Sequence, residues 1–157
     1  MAGSGVSSTA PRARLATELV DGRAESPTET TVRLAARHTS LPPMELQFGV
    51  YDEVGRFVGR ADGGYPELGI MWEYDGGGKY GPLLPPGRTS SDALMAEKRR
   101  ERGFVELGWV VIRIESDDLS DLGAVMERFS RAVVAASRPS WNPPRGTFVT
   151  MAPLTIW

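Results

Sequence analysis

The sequence predicts an α/β fold: one domain with a mixed sheet of about four strands, flanked by helices in the order α-β-β-β-α-β-α. Three observations predict it. Helical signals recur around residues 26–38, 91–107 and 119–136. Three short apolar–polar runs, separated by turn residues, lie between the first two of these stretches. A continuous apolar run, Trp109–Ile114, sits between the last two.

The first helix begins at Ser26-Pro27-Thr28-Glu29. Serine at the N-cap, proline at the first helical position and glutamate three residues after the serine form a capping box. The helix runs to about His38 and stops before Leu41-Pro42-Pro43. Leu46–Tyr51 and Arg56–Asp62 are strands joined by a hairpin turn at Asp52-Glu53-Val54-Gly55. Tyr65-Pro66-Glu67 turns the chain into a third strand, Leu68–Asp75, which ends at Gly76-Gly77-Gly78. A proline-rich loop over 81–88 leads to the second helix, about Ser91–Leu107, with Gly108 as its stop. Trp109–Ile114, flanked by helices, is expected as an interior strand. Leu122, Val125, Met126, Phe129 and Val133 give the third helix its apolar stripe.

Residues 1–24 read as a flexible N-terminal arm or linker, 25–137 as the domain, and 138–157 as a Pro/aromatic tail. Trp141, Phe148 and Trp157 in that tail are expected to be buried, within the chain or in a homodimer contact, because clustered aromatics are costly in water.

With 157 residues, 41% hydrophobic and 24% charged, the chain can bury a core. No apolar run approaches the roughly 20 residues of a membrane span, and MAGSGVSSTAPRAR has no signal-peptide core. A cytoplasmic protein without membrane contact is therefore expected. The absence of cysteine excludes disulfides, a thiol nucleophile and Cys-ligated zinc, and a single histidine, His38, excludes a His cluster. A net charge of −2 means that nucleic-acid binding needs a local basic patch. Of the 18 Lys and Arg residues, only Lys79 and Lys98 are lysine. Chemistry in this chain rests on carboxylates, lysine and arginine.

Three acids fall at neighbouring strand ends: Asp62 on the second strand, Glu73 and Asp75 on the third. Glu73 and Asp75 are two apart and share a face. Converging carboxylates make a hard oxygen-donor site for Mg²⁺ or Mn²⁺, and Lys79 lies four residues beyond Asp75. A divalent ion beside a lysine suits phosphodiester hydrolysis. The same residues are also ordinary turn and strand-end chemistry. Glu29 is equally the capping-box glutamate. Lys98, near Asp92, Glu97 and Glu101, is equally half of a surface ion pair, and Arg99, Arg100 and Arg102 form a phosphate patch or a solvated face.

Over about residues 24–136, GRAD (59–62), PELG (66–69), EYDGGGKYG (73–81) and AEKRRERGFVELGWVVIRIES (96–116) resemble the very-short-patch-repair-like endonuclease domain of the PD-(D/E)XK nuclease superfamily. Actinobacterial members often follow an AbiEi-type antitoxin-like domain. The resemblance implies a restriction-endonuclease-like fold and metal-dependent cleavage of DNA with Mg²⁺ or Mn²⁺. Asp62 and Glu73 match the metal carboxylates, with Asp75 beside them where the superfamily usually has lysine. Lys79 stands at a basic or histidine position, Glu97 and Lys98 at supporting polar positions, and Glu29 at an acidic position of the first helix. The catalytic set this implies is Asp62, Glu73, Asp75, Lys79, Glu29 and Lys98, with Asp62, Glu73 and Asp75 on the metal. Gly63-Gly64 and Glu115 depart from the family pattern. The alternative is a catalytically inactive nuclease-fold module that binds DNA or protein in toxin–antitoxin or phage-defence regulation. A working metal site requires the Asp62 and Glu73 carboxylates to lie on adjacent strands about 4–6 Å apart.

Overall fold

Ser26 opens the first helix as the capping pattern requires: its hydroxyl accepts from the Glu29 N–H at 3.2 Å and donates to Glu29 Oε1 at 2.9 Å. The computed structural model describes residues 24–75 and 90–150. Within them the chain forms α1 (Pro27–Arg37), β1 (Glu45–Tyr51), β2 (Phe57–Tyr65), β3 (Ile70–Asp75), α2 (Ser90–Leu107), β4 (Val110–Glu115), α3 (Leu122–Ala136) and β5 (Thr147–Thr150). The expected N-terminal arm, up to residue 23, and the glycine- and proline-rich stretch 76–89 lie outside the described residues, as does Trp157.

The five strands form one mixed sheet in the order β4-β3-β2-β1-β5. β1–β2, β2–β3 and β1–β5 are antiparallel and β3–β4 is parallel. Asp52 makes the β1–β2 turn: its carboxylate accepts from the Val54 and Arg56 N–H groups at 3.0 and 2.8 Å. α1 and α3 cover one face of the sheet, with Val32, Leu46, Trp72, Ile112, Ile114, Val125 and Phe129 in the core beneath them. α2 covers the other face, over Phe48, Val50, Ala61, Met71, Phe104 and Trp109.

Two expectations are corrected. The run 109–114 becomes an edge strand, β4, rather than an interior one. Its apolarity, interrupted by Arg113, has another cause: helices cover both of its faces, so residues pointing either way are packed. The outer edge of β4 is occupied by side chains. Arg128 from α3 donates to the Arg113 carbonyl, and Asp118 accepts from the Glu115 N–H at 2.9 Å. That N–H, together with Arg128 at 3.0 Å, holds the Asp118 carboxyl below its ordinary value against slight burial.

The sheet also has a fifth strand, from the tail. Thr147–Thr150 pairs with β1, and Phe148 sets its ring edge-on to Trp109 at 6.4 Å and to Phe48 at 6.3 Å. Trp141 is partly buried against the α1/α3 core. Trp141 and Phe148 are thus half-buried against the two cores of their own chain, while most of 138–150 is exposed. Among the described residues no helix is long and apolar enough to cross a membrane.

Phe148→Ala is expected to lower unfolding free energy by about 2 kcal/mol in a urea titration, about half of a full core loss because the ring is half-buried. The Tyr65 ring packs edge-on to Phe129 at 6.0 Å, and its buried hydroxyl has no hydrogen-bond partner. Burial pushes that phenol up to about 12. The unfolded chain ionises this group near pH 10, so its contribution to stability is intact below that pH and lost as pH rises through about 12. Tyr65→Phe should remove this part of the alkaline loss and hold or raise stability at pH 7 by up to about 1 kcal/mol.

Candidate functional site

β2 and β3 are paired only at Gly63↔Trp72, Gly64↔Met71 and Tyr65↔Ile70. Beyond these pairs β2 stays laddered to β1 back to Phe57, but no longer to β3. A cavity of about 400 Å³ lies where the strands part, lined by Phe57, Val58, Gly59, Arg60, Asp62, Glu73, Tyr74 and Arg100. Asp62 and Glu73 therefore sit on adjacent strands and border the same space. Asp62 Oδ2 accepts from the Tyr74 N–H at 2.7 Å, supplying the bond that the missing ladder does not.

α2 closes over this opening because β2 carries glycine beneath it. A Cβ on Gly59 would lie 2.6 Å from Phe104 Cζ and 2.7 Å from Arg100 Cδ. With the helix this close, Arg100 Nη2 reaches Glu73 Oε1 at 3.2 Å. Glu73 is only 4% exposed, so a guanidinium beside its carboxylate offsets a large desolvation cost. On the rim, Arg60 makes a two-pronged pair with Glu25 at 3.0 and 2.8 Å, tying β2 to the start of α1.

Asp75 lies in a different cluster from the one expected. It faces Arg113 of β4 at 3.4 Å, and Arg113 is also reached by Glu97 at 3.5 Å and Glu101 at 3.0 Å from α2. Burial disfavours the Arg113 charge, but Glu101, then Glu73 and Glu97, outweigh burial and raise its pKa above the ordinary value. The expected convergence of Asp62, Glu73 and Asp75 is thus replaced by two carboxylates at the cavity and a third beside Arg113. Among the described residues no group of three or more His, Cys, Asp or Glu side chains is placed to hold a metal ion.

The remaining candidates separate in the same way. Glu29 is buried at the start of α1, where it accepts from the Ser26 hydroxyl, the Glu25 N–H at 2.9 Å and Gln47 Nε2 at 2.7 Å. It does not line the cavity. Lys98 is exposed on α2, and Lys79 lies outside the described residues. Arg100 is the residue whose role the sequence left open. Its neighbour Arg102 turns outward to Glu106 at 2.7 Å, whereas Arg100 turns inward. The available signal was Phe104, fully buried and four residues on, which marks the Arg100 face of the helix as the inner one.

Mg²⁺ commonly takes one or two protein carboxylates and completes its shell with water and other oxygen ligands, so a hard divalent cation at this cavity would have two carboxylates to draw on. Asp62 and Glu73 are the residues that would hold it. Arg100 adds a fixed positive charge to the same wall. Arg100→Ala should destabilise the fold by about 2 kcal/mol, since it strips the charge partner from a desolvated glutamate, and Arg100→Lys should recover part of that loss in chemical denaturation.

Two uncharacterized proteins of Mycobacterium tuberculosis, from strains CDC 1551 / Oshkosh and ATCC 25618 / H37Rv, are each 30% identical to this chain over 112 residues. The match covers 71% of this chain and 38% of theirs, so the chain spans well under half the length of these relatives. No protein-family model matches the chain, and no solved structure matches it.

Proposed function

We propose that this chain is a nuclease-fold domain of the PD-(D/E)XK kind that hydrolyses phosphodiester bonds in DNA with Mg²⁺ or Mn²⁺. The observation that carries the proposal is the shared cavity: Asp62 and Glu73 on adjacent strands, at the point where those strands part. Bound there, the cation would polarise the phosphodiester and make water nucleophilic near neutral pH. Asp62 and Glu73 would hold it, and the Tyr74 N–H fixes the orientation of Asp62. Arg100 offers its guanidinium to the phosphate and stabilises charge that develops there. Asp75, with Glu97, keeps Arg113 in place beside the site, and Lys79 is a second cation proposed from its position in sequence. Glu29, bound to the helix cap and Gln47, and Lys98, exposed on α2, do not line the cavity. Cytoplasmic action accords with this activity.

Two observations favour a second function, a catalytically inactive module that binds DNA or protein. Arg100 already neutralises Glu73, the carboxylate that the cation needs, and Asp75 occupies the usual lysine position.

Cleavage of supercoiled plasmid and of single-stranded DNA in Mg²⁺ or Mn²⁺ tests the two. Nicking or linearisation that stops with chelator is expected, with Asp62→Ala and Glu73→Ala inactive but folded. Arg100→Ala should cost on the order of 10²-fold in rate, the scale of one lost charge-stabilising donor. DNA binding that persists in chelator, with no cleavage by the wild type, would overturn the nuclease and leave the binding module.

A further inference from the structure

Gln47 lies in the middle of β1, 1% exposed, with a φ of +50°. Among the described residues it is the one non-glycine residue in the left-handed region, where the Cβ of an L-residue meets backbone oxygen. Residues two apart in a regular strand face the same way. Across Gln47 they do not: Leu46 belongs to the core under α1 and α3, whereas Phe48 and Val50 belong to the core under α2.

β2 inverts in step. Ala61 packs under α2, while a Cβ on Gly63 would meet Trp72 Nε1 at 2.6 Å and Leu46 Cδ2 at 3.1 Å, on the other side of the sheet. The register is unchanged through the step, Leu46↔Gly63 and then Phe48↔Ala61, so the position across from Gln47 is Asp62. That pair is missing from the ladder. In a regular β2, Asp62 would follow Arg60 towards the α1 side, into a core that contains Leu46 and Trp72. A carboxylate there would be desolvated among apolar groups.

Gln47 is pinned as well as bent. Its Nε2 donates to Glu29 Oε2 at 2.7 Å, and Glu29 is itself held by the helix cap; Gln47 Oε1 is buried with no hydrogen-bond partner. Backbone strain held by a locked side chain, one strand away from a candidate catalytic group, is an arrangement found where geometry serves function.

We propose that Gln47 is the positioning residue of Asp62: its left-handed backbone, pinned by Glu29, inverts β1 and β2 together and turns the Asp62 carboxylate onto the Tyr74 N–H at the cavity wall. The consequence for catalysis rests on the nuclease function proposed above, whereas the effect on Asp62 does not.

The test replaces Gln47 by glycine, alanine and valine, which accept a positive φ in falling order. Tyr74 amide hydrogen exchange is read against the Ile112 amide as an internal control of the fold. Glycine should keep Tyr74 protection within about threefold of wild type, alanine should speed its exchange by about tenfold, and valine by more, with Ile112 little changed. Where DNA is cleaved, kcat should fall in the same order with KM unchanged, and glycine should rescue it. If the valine variant fails to fold, the glycine–alanine difference decides. Equal Tyr74 exchange in glycine and alanine, or glycine as damaging as alanine, would overturn the proposal. A graded exchange without any DNA cleavage would instead overturn the nuclease function and leave the positioning role standing.

Discussion

The early parting of β2 and β3 is the constraint on which the rest of this molecule depends. Three residue pairs hold the strands together, and past them the sheet opens while β2 remains laddered to β1. An opened sheet exposes backbone groups that need partners, and Asp62 provides one for the Tyr74 N–H. The same opening brings two carboxylates and a guanidinium to one cavity. A regular ladder would have used the backbone for pairing and left no space there. The site is thus made by interrupting secondary structure, with side chains taking over where backbone pairing stops.

Electrostatics then divides the acids into two groups. Glu73 is desolvated and leans on Arg100, while Asp75, Glu97 and Glu101 gather around Arg113 on the neighbouring strand and helix. Each guanidinium serves residues from different elements, so α2 is fastened to β3 and β4 by charge as well as by Phe104 and Leu107. This places high cost on moving α2 relative to the sheet, because a shift would strand a buried carboxylate. The helix that carries Arg100 is therefore a rigid support for the cavity.

The tail completes the sheet at the far side from this charge cluster. β5 covers the outer edge of β1, and Phe148 closes the aromatic group with Phe48 and Trp109 beneath α2. β1 is consequently an interior strand, held on both edges, even though it contains the left-handed Gln47. A strained residue persists where its neighbours over-determine it, and here the flanking pairs Leu46↔Gly63 and Phe48↔Ala61, with the Gln47–Glu29 hydrogen bond, do so.

Local signals in the sequence determined the elements: the Ser26–Glu29 cap, the Asp52–Gly55 turn, the Pro66 turn and the periodic stripe of α3 each act over a few residues and are legible without a partner. They also determined that Asp62 and Glu73 stand on neighbouring strands, because the short connection leaves those strands side by side, although Asp62 falls inside β2 rather than at its expected end. Whether each acid meets a cation, a backbone N–H or another acid was decided only in three dimensions. Arg100 and Arg113 compete for the carboxylates from elements far apart in sequence, and Asp75 went to Arg113. Apolarity along 109–114 reports burial of two faces but says nothing about edges, so the edge position of β4 was not legible. Four residues, Thr147–Thr150, are too few to show a strand period, and they become a strand because β1 offers an open edge. The inversion at Gln47 left no mark in the alternation of residue types, since glutamine carries no left-handed preference of its own, and it exists because the packing on both faces requires it.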